Sequence, residues 1–260
     1  MAKSGRTRAP QSYRRRTYRN LVDERLVSTF FKLKETDLHI LAESDVSAVV
    51  GDLASTFRLQ VERYIEHHPE FLSTLSPLGV DRLAPPIVRR MQEAAELTGV
   101  GPMAAVAGGI AEFVGQALLE AGHKEVIVEN GGDIYLKRSE ELTVSVFAGA
   151  SPLSNRFGLR IVPEQTPLGI CTSSGTVGHS LSFGKAESVT VLADSACIAD
   201  AAATRLGNEV GKDLNDREAV DHALGIGSRM EQVRGVLIVC GETLGAIGEI
   251  VLQPLDEKVR

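Results

Sequence analysis

The chain has 260 residues, 43% hydrophobic and 24% charged, with a formal net charge of −6. That size and balance suit a globular protein with a sizeable core, and no apolar run is expected to reach the roughly 20 residues that span a bilayer. Three cysteines without CxxC spacing, Cys171, Cys197 and Cys240, argue against a disulfide framework or a zinc site.

The charge is unevenly spread. Residues 1 to 20 carry seven Lys or Arg and no acid, while the remainder holds 21 basic and 34 acidic residues. The basic stretch has no apolar segment behind it, so it does not read as a secretory signal. A cytoplasmic location is the default expectation. The stretch is expected to be a solvated arm, residues 1–20, ahead of a single domain over 21–260. The acidic body lacks the basic bias of a nucleic-acid binder, so neither nucleic acid nor membrane is an expected partner.

"VSTFFKLK" (27–34) and "LHILA" (38–42) read as two strands joined at "ETD". A long amphipathic helix is expected from about Val46 to Glu66, then a proline-punctuated connection, then a helix from about Ile87 to Leu97. "GPMAAVAGGIAEFVGQALLEAG" (101–122) is helical in period but crowded with small residues. Gly108 and Gly109 each cost a helix about 1 kcal/mol relative to Ala. They permit close approach, by another element or by a ligand.

From residue 125 the chain turns β-rich: "EVIVE", "IYLKR", "LTVSVFA", "GLRIV", "LGICT" and "SVTVLA". Helices over "ACIADAAATRLGNEV" and residues 216–230 follow, and strands "GVLIVC" and "GAIGEIVLQ" end the pattern. Strands and helices in this order imply an α+β fold with mostly antiparallel sheets packed against helices, and hint at two similar halves.

Three stretches could carry chemistry. In "IADAAATRL", Asp200 and Thr204 lie four apart and share a helix face. Their oxygens suit a hard cation such as Mg²⁺, and Asp200 could equally cap its helix. "CTSSGTVGHS" places hydroxyls and glycines after a strand, where backbone N–H groups can cradle a phosphate, with His179 able to orient a ligand or carry a proton. It reads equally as a polar turn. "ENGGDIYL" puts Asn130-Gly131 at a tight hairpin turn between the carboxylates of Glu129 and Asp133. There is no GxSxG, GxGxxG or GxxxxGK[ST], which counts against a serine hydrolase, a dinucleotide fold and a P-loop.

The order of these stretches resembles the ApbE superfamily: a small-residue helix ending "LLEAG", then "VIVENGGDI", "TSSG", a histidine, "SVTVLA" and "ADAAAT". "YRRRTYR", "KETDL" and "TSSGTVGHSLSFGKAESVTV" are most similar to a shorter, poorly characterised branch of it. The resemblance implies a T-fold-like architecture. It also implies the activity of the best-known members, FAD:protein FMN transferases, which use Mg²⁺ and FAD to place FMN on a Ser or Thr of an acceptor protein.

Carried across by residue, the resemblance makes Asp200 and Thr204 a metal pair, with the Ala105 carbonyl as a further ligand. Gly108, Gly109 and Glu112 fall in the flavin-lining helix. Asn130 and Asp133 fall in the Gly-Gly-Asp-Ile turn. Thr172, Ser173, Ser174 and Gly175 form the Thr-Ser-Gly turn, and His179 opens the family's His-x-x-Asp-Pro motif. The pattern also departs. Ala107 stands for the family's lysine, Gly109 for its tyrosine, and Ser182 for the aspartate after the histidine. Cys171 and Cys197 flank the site, so a sulfur-handling enzyme or accessory protein, with Cys171 as nucleophile, is an alternative. A non-catalytic flavin- or nucleotide-binding module is another. T-fold-like sheets assemble through their edges, which points to a homodimer.

Overall fold

The computed structural model describes residues 25–174 and 184–255. Gly175, His179, Ser182 and the 1–20 arm lie outside the described residues.

The chain begins with a hairpin, β1 (Val27–Leu33) and β2 (Thr36–Ala42). Helix α1 (Ser47–His67) and the single turn α2 (Glu70–Ser73) follow. Helix α3 (Pro86–Thr98) carries Pro at its first position, where the missing N–H costs nothing. It ends at Gly99 in the left-handed conformation, a favoured helix stop. The small-residue stretch divides into a 3₁₀ turn (Pro102–Ala105) and helix α4 (Val106–Glu120). Strands β3 (Val126–Asn130), β4 (Asp133–Lys137), β5 (Leu142–Ser145), β6 (Phe157–Ile161), β7 (Leu168–Ser173) and β8 (Ser188–Ala193) come next. Helices α5 (Ala196–Glu209) and α6 (Asp216–Gly227) precede β9 (Val233–Cys240), β10 (Thr243–Gly248) and β11 (Leu252–Pro254).

Among the described residues, eight strands form one antiparallel sheet in the order β1-β2-β3-β4-β7-β8-β9-β10. The order splits into two four-strand runs that meet where β4 pairs with β7. Each run has helices inserted between its strand pairs, so the two-half pattern hinted at by the sequence is present in the topology. The α+β expectation is met. A second sheet, β11-β6-β5, has three strands.

Strand alternation sorts the two faces of the main sheet. Val126, Val128, Tyr135, Cys171, Val189 and Val191 face the helices in the larger core. Leu136, Leu168, Ile170, Leu192 and Leu237 face the other way, packed with Val146, Leu159 and Ile161 around the small sheet.

Two sequence expectations need correction. "GAIGEIVLQ" is not one strand: β10 ends at Gly248 (φ 72), and β11 pairs instead with β6 in the second sheet. Pro102–Glu120, 19 residues, is long and apolar enough by length and composition to cross a membrane. Its small residues instead bury it as a core helix, with Ile110, Ala111, Val114 and Leu118 among the sheet and helix contacts.

Candidate functional site

The Asn-Gly-Gly-Asp turn is a two-residue hairpin. Asn130 and Asp133 are register partners, and Gly131 and Gly132 take φ 71 and 109, which side chains resist. Glu129 Oε1 accepts the Gly132 N–H at 2.8 Å and holds the turn closed. Asn130, nearly fully buried, is a tether: it donates from Nδ2 to Ala107 O at 3.1 Å and accepts the Asp37 N–H at 3.3 Å. Asp133 lies on the helix-facing side, where its Oδ1 accepts the Thr172 N–H at 3.3 Å.

Helix α5 starts at Ser195, whose hydroxyl accepts the Ile198 N–H as an ordinary N-cap. Asp200, one turn further in, therefore does not cap its own helix. Its Oδ2 accepts the Gly108 N–H at 2.9 Å, and the Ala107 N–H also supports the carboxylate. These are orphan donors of the first turn of α4, which has no side-chain cap of its own. Asp200 thus caps α4 across the helix–helix contact. Glu112, on α4, returns the arrangement: its Oε2 accepts from Ser195 Oγ at 2.6 Å and from Cys197 N at 3.0 Å, at the start of α5.

The close approach is backbone against backbone. A Cβ on Gly108 would meet Ala196 O at 2.3 Å and Asp200 Cβ at 2.8 Å. The glycine serves a neighbouring helix, one of the two uses the sequence left open. Gly109 faces Cys197, Met91 and Ile87 at 3.5 to 3.8 Å, which is core.

Asp133 and Asp200 come from opposite halves of the chain, each partly exposed, and lie near enough for the Asp133 charge to act on Asp200. Burial pushes the Asp133 carboxyl up to about 7, the Thr172 N–H pulling against it and the Glu129 charge adding to the rise. Burial likewise pushes Asp200 well up, with the Asp133 charge next and the Gly108 and Ala107 N–H groups opposing. Two repelling carboxylates beside a helix N-terminus form a locus that a proton or a cation would relieve.

This has a consequence for stability. In an unfolded chain an aspartate ionises near about 3.9. The folded state holds the Asp133 proton more tightly, so its contribution favours folding at low pH and is lost as pH rises through about 7. The melting temperature is expected to fall between pH 5 and pH 8 by more in the wild type than in Asp133→Asn. The expected difference is about 1–2 kcal/mol, or roughly 2–6 °C. Equal slopes in the two proteins would contradict this.

Other expected site residues land as follows. Thr204 lies one turn after Asp200 on the same helix face and is partly exposed. Ala105 is fully buried, and its carbonyl takes a long contact from Cys197 Sγ at 3.5 Å. Thr172 contributes its amide, but its hydroxyl lies on the opposite face, bonded to Thr190 Oγ1 at 2.9 Å, because strand alternation turns it away from Cys171. Ser173, one residue on, returns to the helix-facing side, and Ser174 follows at the last described position. The sequence missed Ser195, although a serine before an apolar helix start is a standard cap signal. It also missed the amides of Ala107 and Gly108, which leave no side-chain trace.

The nucleophile expected at Cys171 is not supported. All three cysteines are buried. Cys171 Sγ donates to Ala196 O at 3.2 Å. Burial first, then the Asp133 and Asp200 charges, push its thiol well above the usual range, so the thiolate is disfavoured. Cys197 is pushed up by burial and by Glu112. The folded protein is therefore expected to resist iodoacetamide at pH 8, with labelling only after denaturation; rapid native labelling of Cys171 would contradict this.

Comparisons with known proteins bear on the family and the fold. A family model described as "AbpE bacteria" matches residues 19–242. A UPF0280 protein of Methanococcus aeolicus is 43% identical over 205 residues, 78% of this chain and 82% of the relative. A UPF0280 protein of Methanosarcina acetivorans is 40% identical over 225 residues, 86% and 87% of the two chains. Among solved structures, the flavin transferase ApbE from Vibrio cholerae superposes with TM-score 0.57 at 14% identity, over 86% of this chain and 97% of that one. The apo flavinyl transferase ApbE of Pseudomonas stutzeri gives 0.53 at 10% identity, over 87% and 95%. At such identities the likeness is one of fold. The chain belongs to the family described as AbpE bacteria.

Proposed function

We propose that the protein is a Mg²⁺-dependent enzyme of the flavin-transferase type, acting on FAD or a related nucleotide diphosphate. The observation that supports this best is the meeting of Asp133 and Asp200 beside the first turn of α4. The two carboxylates there offer oxygen, the donor that hard cations take. Asp200, Thr204 and the Ala105 carbonyl would hold the ion, with Asp133 as a second charge alongside. When bound, Mg²⁺ would offset the charge of a diphosphate and of the departing phosphate.

The chain's own groups have separate tasks. The Ala107 and Gly108 amides fix the Asp200 carboxylate. The Ser173 and Ser174 hydroxyls, at the end of β7 after the Thr172 amide that Asp133 accepts, would meet phosphate oxygens. His179 would orient the ligand or carry a proton. The acceptor would be a hydroxyl on another protein, as the resemblance implies.

Incubation with FAD, Mg²⁺ and an acceptor protein, followed by in-gel flavin fluorescence, tests this. A fluorescent acceptor band with the wild type and none with Asp200→Asn is the expected result. No band across plausible acceptors would overturn the transferase reading.

A second reading, a flavin- or nucleotide-binding module without transfer, draws on Gly109 and Ala107. Gly109 faces Cys197, Met91 and Ile87 rather than the cleft, and Ala107 lacks the reach of the lysine that the family pattern has there. Calorimetry against FAD, FMN and ADP with Mg²⁺ separates the two: binding without turnover favours the module. The sulfur-handling alternative is weakened by the burial of Cys171 and Cys197.

A further inference from the structure

Glu112 was expected in a flavin pocket. It is instead a carboxylate only 3% exposed, and each of its oxygens is committed within the protein. Oε2 accepts from Ser195 Oγ and Cys197 N, and Oε1 accepts from Gln116 Nε2 at 3.3 Å. Arg90 Nε stands 3.7 Å from Oε1 and offsets the charge. A carboxylate so placed is engaged within the fold rather than turned to solvent.

Its partners explain its position. Ser195 and Cys197 are the first turn of α5, and Asp200 is three residues beyond Cys197. At 1.5 Å per residue that is about 4.5 Å along the axis. The same helix pair is pinned again where Asp200 accepts the Gly108 N–H and where Gly108 lies against Ala196 O. Two carboxylates, one on each helix, hold each other's N-termini. Without the Glu112 contacts, the start of α5 would be held against α4 only by the Asp200–Gly108 hydrogen bond and the Gly108–Ala196 approach.

We infer that Glu112 is a positioning residue: by clamping Ser195 and Cys197 it sets where the Asp200 carboxylate sits against the first turn of α4. One of its two readouts rests on the metal reading above, and the other does not.

The test uses the full chain with Glu112→Ala and Glu112→Gln. Gln keeps an acceptor for Ser195 and Cys197; Ala removes it. Amide hydrogen exchange of Gly108 reports the Asp200 hydrogen bond directly, and the Val236 amide, in the buried part of β9, serves as the control for global loosening. Mn²⁺ affinity by calorimetry reports the site. In Glu112→Ala the Gly108 amide is expected to exchange at least tenfold faster relative to Val236. Mn²⁺ binding is expected to weaken by about 10–100-fold, the usual effect of losing a group that orients a ligand. Glu112→Gln is expected to stay within about threefold of the wild type in both. Wild-type Gly108 exchange relative to Val236 in Glu112→Ala would overturn the inference, even if that variant melts earlier. Faster Gly108 exchange in Glu112→Ala, with no Mn²⁺ binding by the wild type, would support the positioning role and overturn the metal reading instead.

Discussion

Gly108→Ala is expected to destabilise the protein by about 2–3 kcal/mol, while the same change one residue later, Gly109→Ala, is expected to be neutral or stabilising. Alanine in place of a helical glycine normally gains up to about 1 kcal/mol. At Gly108 the added carbon would lie 2.3 Å from the Ala196 carbonyl oxygen, which is backbone and cannot rotate aside. Helices α4 and α5 must separate, and overpacking of this kind costs about 1–3 kcal/mol or more. The clash outweighs the propensity gain. At Gly109 the nearest atoms are Cys197 Sγ at 3.5 Å and Met91 Cγ at 3.6 Å, ordinary contact distances, so the propensity term prevails. Thermal melts of the two variants should diverge, with Gly108→Ala lower by roughly 5–10 °C. Separation of the helices also pulls the Gly108 N–H from Asp200, so metal affinity should fall with stability. Equal melting temperatures in the two variants would refute the close contact.

Asp200→Asn is expected to separate the two tasks of that side chain. Asn is about as good a cap as Asp, so it can still accept the N–H groups of α4. It also ends the repulsion with Asp133. The melting temperature at pH 8 should hold or rise by a few degrees. Mg²⁺ or Mn²⁺ affinity should fall at least 100-fold, because a hard cation loses a charged oxygen. Asp200→Ala leaves the first turn of α4 without its acceptor and should cost about 1–2 kcal/mol. Thr204→Val should weaken the metal less than Asp200→Asn, since a neutral hydroxyl contributes less. Unchanged metal affinity in Asp200→Asn would reduce Asp200 to a structural cap.

The strands were readable because β-branched runs such as "SVTVLA" and "GVLIVC" sit between turn residues, and the hairpin at Asn130-Gly131 because positive φ has a residue signature. The split of the last strand was not, since "EIVLQ" has the same composition whichever sheet it joins, and only the backbone at Gly248 redirects it. Asp200 was readable as a polar residue on an alanine-lined helix face. Its target was not, because the groups it meets are main-chain amides 92 residues away. Glu112 shows the same limit. A carboxylate in a small-residue helix reads as a ligand contact or a cap, and the sequence contains no sign of which helix it caps. Thr172 was placed in the right strand, and only the register of β7 against β8 shows that its hydroxyl points away.

The joint between β4 and β7 has a bearing on how the protein assembles. Asp133 and the α4 amides belong to the first four-strand run, while Asp200, Thr204 and the Thr172 amide belong to the second. Neither run by itself contains the pair of carboxylates. A cation held there, as proposed above, would stabilise the docked whole and give nothing to either half alone, so by linkage it would raise the unfolding midpoint. The hydrogen bond from Gly108 to Asp200 across this joint closes a span of 92 residues, and such long-range closure is slow. On the proposed function, metal uptake during refolding would report the docking of the two halves.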